Sequence, residues 1–202
     1  MSKLIIVGAG GHGKVVYDIA HNSQRFSEIY FLDDDAAKRE FYGASIIGNS
    51  DDAISHVYDS SFVVAIGNNV VRSKIQKKLE DIGARIVSFI HETAVISNSV
   101  SVGKGSVIMP MVVINADTII GDGCIINTAC VIEHDSSIGD FSHISPNATI
   151  CGTVSVGKYT WVGAGATIIN NKKICDDIII SANSTVIRDI FQKGIVYTGI
   201  VK

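Results

Sequence analysis

The chain has 202 residues, 18% of them charged, and a formal net charge of −3. That balance supplies neither a basic field for nucleic acid nor a strongly acidic tail. Mean hydropathy is positive at +0.32, yet no run of about 18 apolar residues occurs, and the apolar start is too short and too glycine-rich for a signal peptide. No membrane span is therefore predicted, and the cytoplasm is the expected compartment.

Residues 1–90 read as alternating strands and helices. Leu4-Ile5-Ile6-Val7 is a short apolar run ending in Gly8-Ala9-Gly10-Gly11-His12-Gly13, and a helical stretch from Lys14 to His21 follows. Ile29-Tyr30-Phe31-Leu32 is a second strand, closed by Asp33-Asp34-Asp35. Phe62 to Ile66 is a third, of the buried type, ending in Gly67-Asn68-Asn69. Asn68 or Asn69 is placed to cap a helix whose apolar positions Val71, Ile75, Leu79 and Ile82 keep helical spacing. Strand, helix, strand, helix predicts a Rossmann-like parallel sheet with helices on its faces.

Residues 91–202 follow a different rule. From Ile96 to Val186 every sixth residue is Ile or Val, sixteen times in succession. Two residues before each stands a small or β-branched residue, with Lys172 as the one exception, where the coil is expected to be distorted. In an extended segment these two positions face the same way and the residue between them points out. Gly, Asn, Asp and Lys follow each pair, as corners require. Such units bury their apolar side only by stacking on one another. Three hexads, 18 residues, would close one triangular coil.

That period is a ruler for side chains. His134 falls on the corner between the faces of Val131–Ile132 and Ser137–Ile138. His143 points outward from the remaining face, so the two histidines cannot meet within one subunit. A shared site would lie between subunits, and three-fold closure would make three of them. Gly152 stacks one coil above His134, where a bare backbone N–H is able to steady an oxyanion. Ala164 and Ala182, also one coil apart, leave a smooth groove near His143. Glu133 and Asp135 flank His134, and a carboxylate beside an imidazole raises its basicity. The four cysteines form no CxxC pair and occupy defined slots of the repeat, so neither a metal nor a disulfide is expected from them.

Val131-Ile132-Glu133-His134-Asp135, followed by Ile138-Gly139-Asp140-Phe141-Ser142-His143-Ile144-Ser145, resembles the signature of bacterial hexapeptide-repeat sugar acetyltransferases. These include the sialic-acid O-acetyltransferase family and the UDP-4-amino-sugar N-acetyltransferases of bacillosamine biosynthesis. The glycine loop, the Phe31-Leu32-Asp33-Asp34 step and Ala65-Ile66-Gly67-Asn68-Asn69 are similar to the same group. The resemblance implies a left-handed parallel β-helix after the α/β domain, and a cytoplasmic homotrimer working in surface glycan biosynthesis. It implies acetyl-CoA as co-substrate and a UDP-linked 4-amino sugar as acceptor, with no metal. By the same resemblance His134 is the general base and Asp135 tunes it. His143, Ala164 and Ala182 meet acetyl-CoA. Gly10, Gly11, His12, Asp33, Asp34, Gly67 and Asn68 hold the nucleotide sugar, and Asn127 lies near the sugar. The chain ends Thr198-Gly199-Ile200-Val201-Lys202, a departure from the Gly-Val-Pro-Ala-like tail common in that family.

Gly8, Gly10 and Gly13 also satisfy GxGxxG with an acid about 20 residues on, the pattern of a dinucleotide site. Only about half of a doubly wound fold fits before the repeats begin, and the loop's N–H groups suit a UDP diphosphate, so a nucleotide sugar is expected rather than NAD, with a ligand-free structural turn as the alternative. Two other readings remain at this level. One is O-acetylation of sialic acid or a related sugar. The other is a non-catalytic nucleotide-binding or scaffold protein.

Overall fold

The computed structural model describes residues 3–35, 37–194 and 196–201. The chain divides into two compact units, Met1–Phe89 and Ile90–Lys202.

In the first unit β1 (Lys3–Val7) lies at the centre of a parallel sheet. It is flanked by β2 (Glu28–Leu32) and, across a short hairpin of β3 (Glu40–Phe41) and β4 (Ala44–Ser45), by β5 (Ser60–Val64). A last strand, β6 (Arg85–Ile86), pairs with β5 and completes the order β2-β1-β5-β6. Leu4, Ile5 and Ile6 are wholly buried, as a strand with neighbours on both sides requires.

Three details differ from expectation. The first helix, α1 (Gly11–Asn22), starts three residues early, inside the glycine run. The third strand occupies 60–64 rather than 62–66, because Ser60 and Ser61 take register opposite Lys3 and Leu4 while Ala65 turns away after one bond to Val7. The helix α2 (Asn69–Asp81) is capped by Asn68, whose side chain accepts the Val71 N–H at 3.0 Å. Its inward face, however, is Arg72, Ser73, Gln76 and Leu79, and Val71 is exposed. Leu79 joins the core of the first unit and Ile75 and Ile82 pack against it, so only Val71 departs from the expected stripe, and Arg72, 1% exposed, is buried alongside. Its guanidinium donates to the carbonyls of Ile66 and Gly67 at 2.9 and 3.0 Å and to the Asn69 side chain at 2.8 Å. A buried cation so paired is affordable, whereas an unpaired one is not.

The second unit is a parallel β-solenoid. Among the described residues its three faces hold seven, seven and five stacked strands of two residues each. One face runs from Val95–Ile96 to Ile200–Val201 and includes Val131–Ile132, and the five-stranded face includes Ser137–Ile138. The remaining face includes His143–Ile144. Strands 18 residues apart pair in register as far as Val186, for example Val131 with Thr149 and His143 with Trp161, whereas the last coil is shorter and pairs Ile179 with Val196 and Thr185 with Ile200. Of the sixteen Ile and Val positions, all from Ile108 onward are buried and join one core column. Ile96 and Val102, in the first coil, are only half-buried.

The small residues of the second inward slot also earn their places. Ser106, Ser136, Ser142 and Thr160 are buried, and each hydroxyl donates to a carbonyl 15 residues on while accepting an N–H 18 residues on. These bonds remove the penalty of a buried hydroxyl. At Lys172 the expected distortion is absent: its carbonyl accepts the Ser155 N–H at 2.9 Å, and Lys173–Ile174 pairs normally. The half-buried Lys172 side chain leaves the backbone ladder intact.

Candidate active site

The first unit carries a cavity of about 350 Å³ at the carboxyl ends of β1, β2 and β5. Gly10, Gly11, His12, Asp33, Asp34 and Gly67, all singled out from sequence, line it together. Asn68 lies outside the lining, its side chain committed to the α2 cap. The glycines divide by role. A Cβ at Gly13 would stand 2.3 Å from the Gly8 carbonyl oxygen, and Gly8 itself sits at φ +110°. Both serve the tight strand-to-helix turn. At Gly10 and Gly11 a Cβ would meet nothing within 4 Å. That open space, at the N-terminus of α1, suits an anionic group approaching backbone N–H donors.

Asp33 braces this loop. Its carboxylate accepts the Ala9 N–H at 2.6 Å, the Asp35 N–H at 3.0 Å and the Lys38 ammonium at 3.1 Å. Lys38 also donates to the Ala9 carbonyl at 3.0 Å and reaches the cavity wall. Burial opposes the Asp33 charge, but the two N–H donors and Lys38 outweigh it and hold the carboxyl below its ordinary value. A folded-state value below the unfolded one stabilises the fold above the ordinary carboxylate range, and that contribution is lost as pH falls through the depressed value. Asp33→Asn is therefore expected to cost about 1.5–3 kcal/mol at pH 7. Urea unfolding at pH 7 and pH 3 checks this: the gap to wild type should shrink at the lower pH, and a pH-independent gap would refute the brace.

Asp34 accepts the Ser50 N–H at 2.8 Å. Lys38 and Ser50 line the cavity and were not picked out from sequence, because a lone Lys or Ser in a loop carries no pattern.

In the second unit His134 occupies its predicted corner. Its backbone is held from both sides: Asp135 N–H donates to the Ala116 carbonyl at 2.9 Å, and Thr153 N–H donates to the His134 carbonyl at 2.9 Å. Asp135 adopts φ 57°, the left-handed value that recurs at this place in the corners. Its carboxylate lies 2.7 Å from His134 Nδ1. A carboxylate only accepts, so Nδ1 carries the proton and Nε2 is the basic nitrogen. Gly152 stacks above, and a Cβ there would fall 2.9 Å from both Cε1 and Nε2 of the ring. Only a residue without a side chain leaves the imidazole that position. Glu133, read from sequence as a second flanking acid, instead accepts from Asn115 Nδ2 at 2.8 Å.

His143 stands on another face, as the ruler requires, and belongs to a different group. Asn127 Nδ2 lies 3.0 Å from His143 Nε2. The ring stacks on Trp161, with centroids 6.0 Å apart and planes 8° apart. Trp161 Nε1–H donates to Ser145 at 2.8 Å. Ala164 and Ala182 follow on the neighbouring corner, both exposed and linked by the Asn183 N–H to the Ala164 carbonyl at 2.8 Å. The structure thus brings Asn127 to His143 rather than to His134. Trp161, the sole tryptophan, went unremarked from sequence, although it stands 18 residues after His143 in the same outward slot.

Cysteine chemistry is disfavoured by position. Cys124 and Cys130 are fully buried, and burial pushes the Cys130 thiol up to about 12. Among the described residues no cluster of His, Cys, Asp or Glu is arranged to hold a metal. No helix among them is long and apolar enough to cross a membrane.

Comparison with known proteins covers both units. Residues 3–79 match the model of the PglD N-terminal domain, and residues 117–152 match the bacterial transferase hexapeptide model of six repeats. A curated relative, UDP-N-acetylbacillosamine N-acetyltransferase of Bacillus subtilis, is 38% identical over 113 residues. That stretch is 54% of this chain and 52% of the relative, so the match spans about half of each. Among solved structures, the acetyltransferase domain of PglB from Neisseria gonorrhoeae in complex with acetyl coenzyme A superposes with a TM-score of 0.93. It is 33% identical, with 98% of this chain and 96% of that one covered. PerB from Caulobacter crescentus, solved with CoA and GDP-perosamine, gives a TM-score of 0.90 at 34% identity, covering 98% and 95%.

Proposed function

The chain belongs to the hexapeptide-repeat sugar acetyltransferase family that includes the PglB acetyltransferase domain and PerB, and from that premise we propose that it N-acetylates a nucleotide-linked amino sugar with acetyl-CoA. The observation that carries the reading is the His134 corner: an imidazole oriented by Asp135, beneath a glycine that leaves its reactive edge open. The acceptor we favour is a UDP-linked 4-amino sugar of the bacillosamine type. Its nucleotide would occupy the cavity of the first unit, with the diphosphate at Gly10 and Gly11.

The chemistry follows from the groups present. The sugar amine attacks the thioester carbonyl, and His134 Nε2 takes the proton that the nitrogen sheds as the N–C bond forms. The Gly152 N–H stabilises the tetrahedral oxyanion. Collapse breaks the C–S bond, and the imidazolium returns its proton to the departing CoA thiolate. No acyl-enzyme is involved.

His143, Ala164 and Ala182 line a different part of the solenoid from His134, so the acyl donor and the base come from different subunits of a homotrimer. Mixing two inactive variants, His134→Ala and His143→Ala, tests this. Random exchange of protomers should restore about a quarter of the sites, because each site draws one histidine from each of two chains. No recovery after verified exchange, or a monomer by light scattering, would remove the shared site. The acceptor is tested by offering acetyl-CoA with a UDP-4-amino sugar, a GDP-linked amino sugar or sialic acid. Turnover of sialic acid alone would sink the N-acetyltransferase reading.

A further inference from the structure

We propose that Asn127 is a positioning residue that locks His143 in the Nδ1–H tautomer and so makes it a hydrogen-bond donor in the acyl-donor site. The assignment rests on a chain of donors and acceptors. The Thr128 N–H donates to Asn127 Oδ1 at 2.8 Å, which fixes the oxygen end of the amide. The nitrogen end, Nδ2, is therefore the end that faces His143 Nε2 at 3.0 Å. An amide NH2 only donates, so Nε2 is the acceptor and the ring proton resides on Nδ1. The ring plane is held in turn by Trp161, which stacks on it and is itself anchored through its indole N–H to the buried Ser145.

The two histidines thus carry the same tautomer for opposite reasons. Asp135 sits at Nδ1 of His134 and leaves Nε2 to accept a proton. Asn127 sits at Nε2 of His143 and so places the ring proton on Nδ1. One chain contributes a base and, on another face, an imidazole N–H suited to a thioester carbonyl as its oxygen gains negative charge. This catalytic consequence rests on the acetyltransferase reading, but the tautomer does not. The assignment also gives Asn127 a task distinct from the sugar contact that family resemblance suggests.

The test uses the intact, uniformly ¹⁵N-labelled protein and long-range ¹H–¹⁵N spectra of its six histidines, with the His143 signals identified by their loss in His143→Gln. In the wild type His143 should show a protonated Nδ1 and a bare Nε2. In Asn127→Asp the new carboxylate accepts, and Nε2 should acquire a proton. Turnover of the same Asn127→Asp protein should fall about 10²-fold in kcat, with the amino-sugar KM unchanged. Asn127→Gln, which keeps an NH2 donor, should recover part of that loss. A wild-type His143 already protonated at Nε2 would overturn the proposal, and so would an unchanged tautomer in Asn127→Asp with only the amino-sugar KM raised. If the tautomer shifts as stated but no amino sugar is acetylated by the wild type, the positioning role stands and the proposed function falls.

Discussion

His134→Ala is expected to lower the rate of acetyl transfer by about 10²–10⁴-fold, the usual worth of a positioned general base. Each factor of ten corresponds to about 1.4 kcal/mol of transition-state stabilisation. The fold should survive. The His134 side chain is 59% exposed, and the corner is held by backbone bonds to the coils below and above rather than by the imidazole. Substitution at such a place shifts stability by no more than about 0.5 kcal/mol. Steady-state kinetics beside a thermal melt separates the two effects. A variant with an unchanged melt and unchanged kcat would remove His134 from the mechanism, and with it the role given to Asp135.

Gly152→Ala is the subtler lesion. The added methyl would stand 2.9 Å from Cε1 and Nε2 of His134, well inside van der Waals contact. Glycine here is not required by backbone strain, since Gly152 is absent from the positions of positive φ. The clash falls on the far end of an exposed side chain, so the ring swings aside and the coil stays folded. A displacement of about 1 Å at a reacting group costs roughly 10²-fold in rate. The expected result is a near-native melt with kcat reduced by about that factor. Full activity in Gly152→Ala would show that the ring needs no such clearance.

Much of the molecule follows from spacing alone. A period of six with a two-residue inward face places side chains modulo 18, because a solenoid's geometry is set by its repeat and not by distant contacts. That is why His134, Gly152 and His143 lie where the ruler puts them, and why Ala164 sits below Ala182. The glycine loop and the Asp33 step were legible for a similar reason, since a tight strand-to-helix turn needs glycine at fixed positions. What spacing could not supply is which partner each polar atom takes. Asp135 rather than Glu133 orients His134, because the corner holds residue 135 at φ 57° and turns its carboxylate toward the ring while Glu133 meets Asn115. Asn127 meets His143 because their outward columns stand side by side, a relation across 16 residues that no local pattern announces. Arg72 is buried beside the apolar stripe of its helix, which helical spacing does not announce, because two carbonyls of the preceding loop accept from its guanidinium. The sequence by itself determined the coil and the address of each side chain on it. The tertiary structure alone decided the hydrogen-bond partners, because a donor finds its acceptor through distance and angle in space, and the repeat encodes only position along the chain.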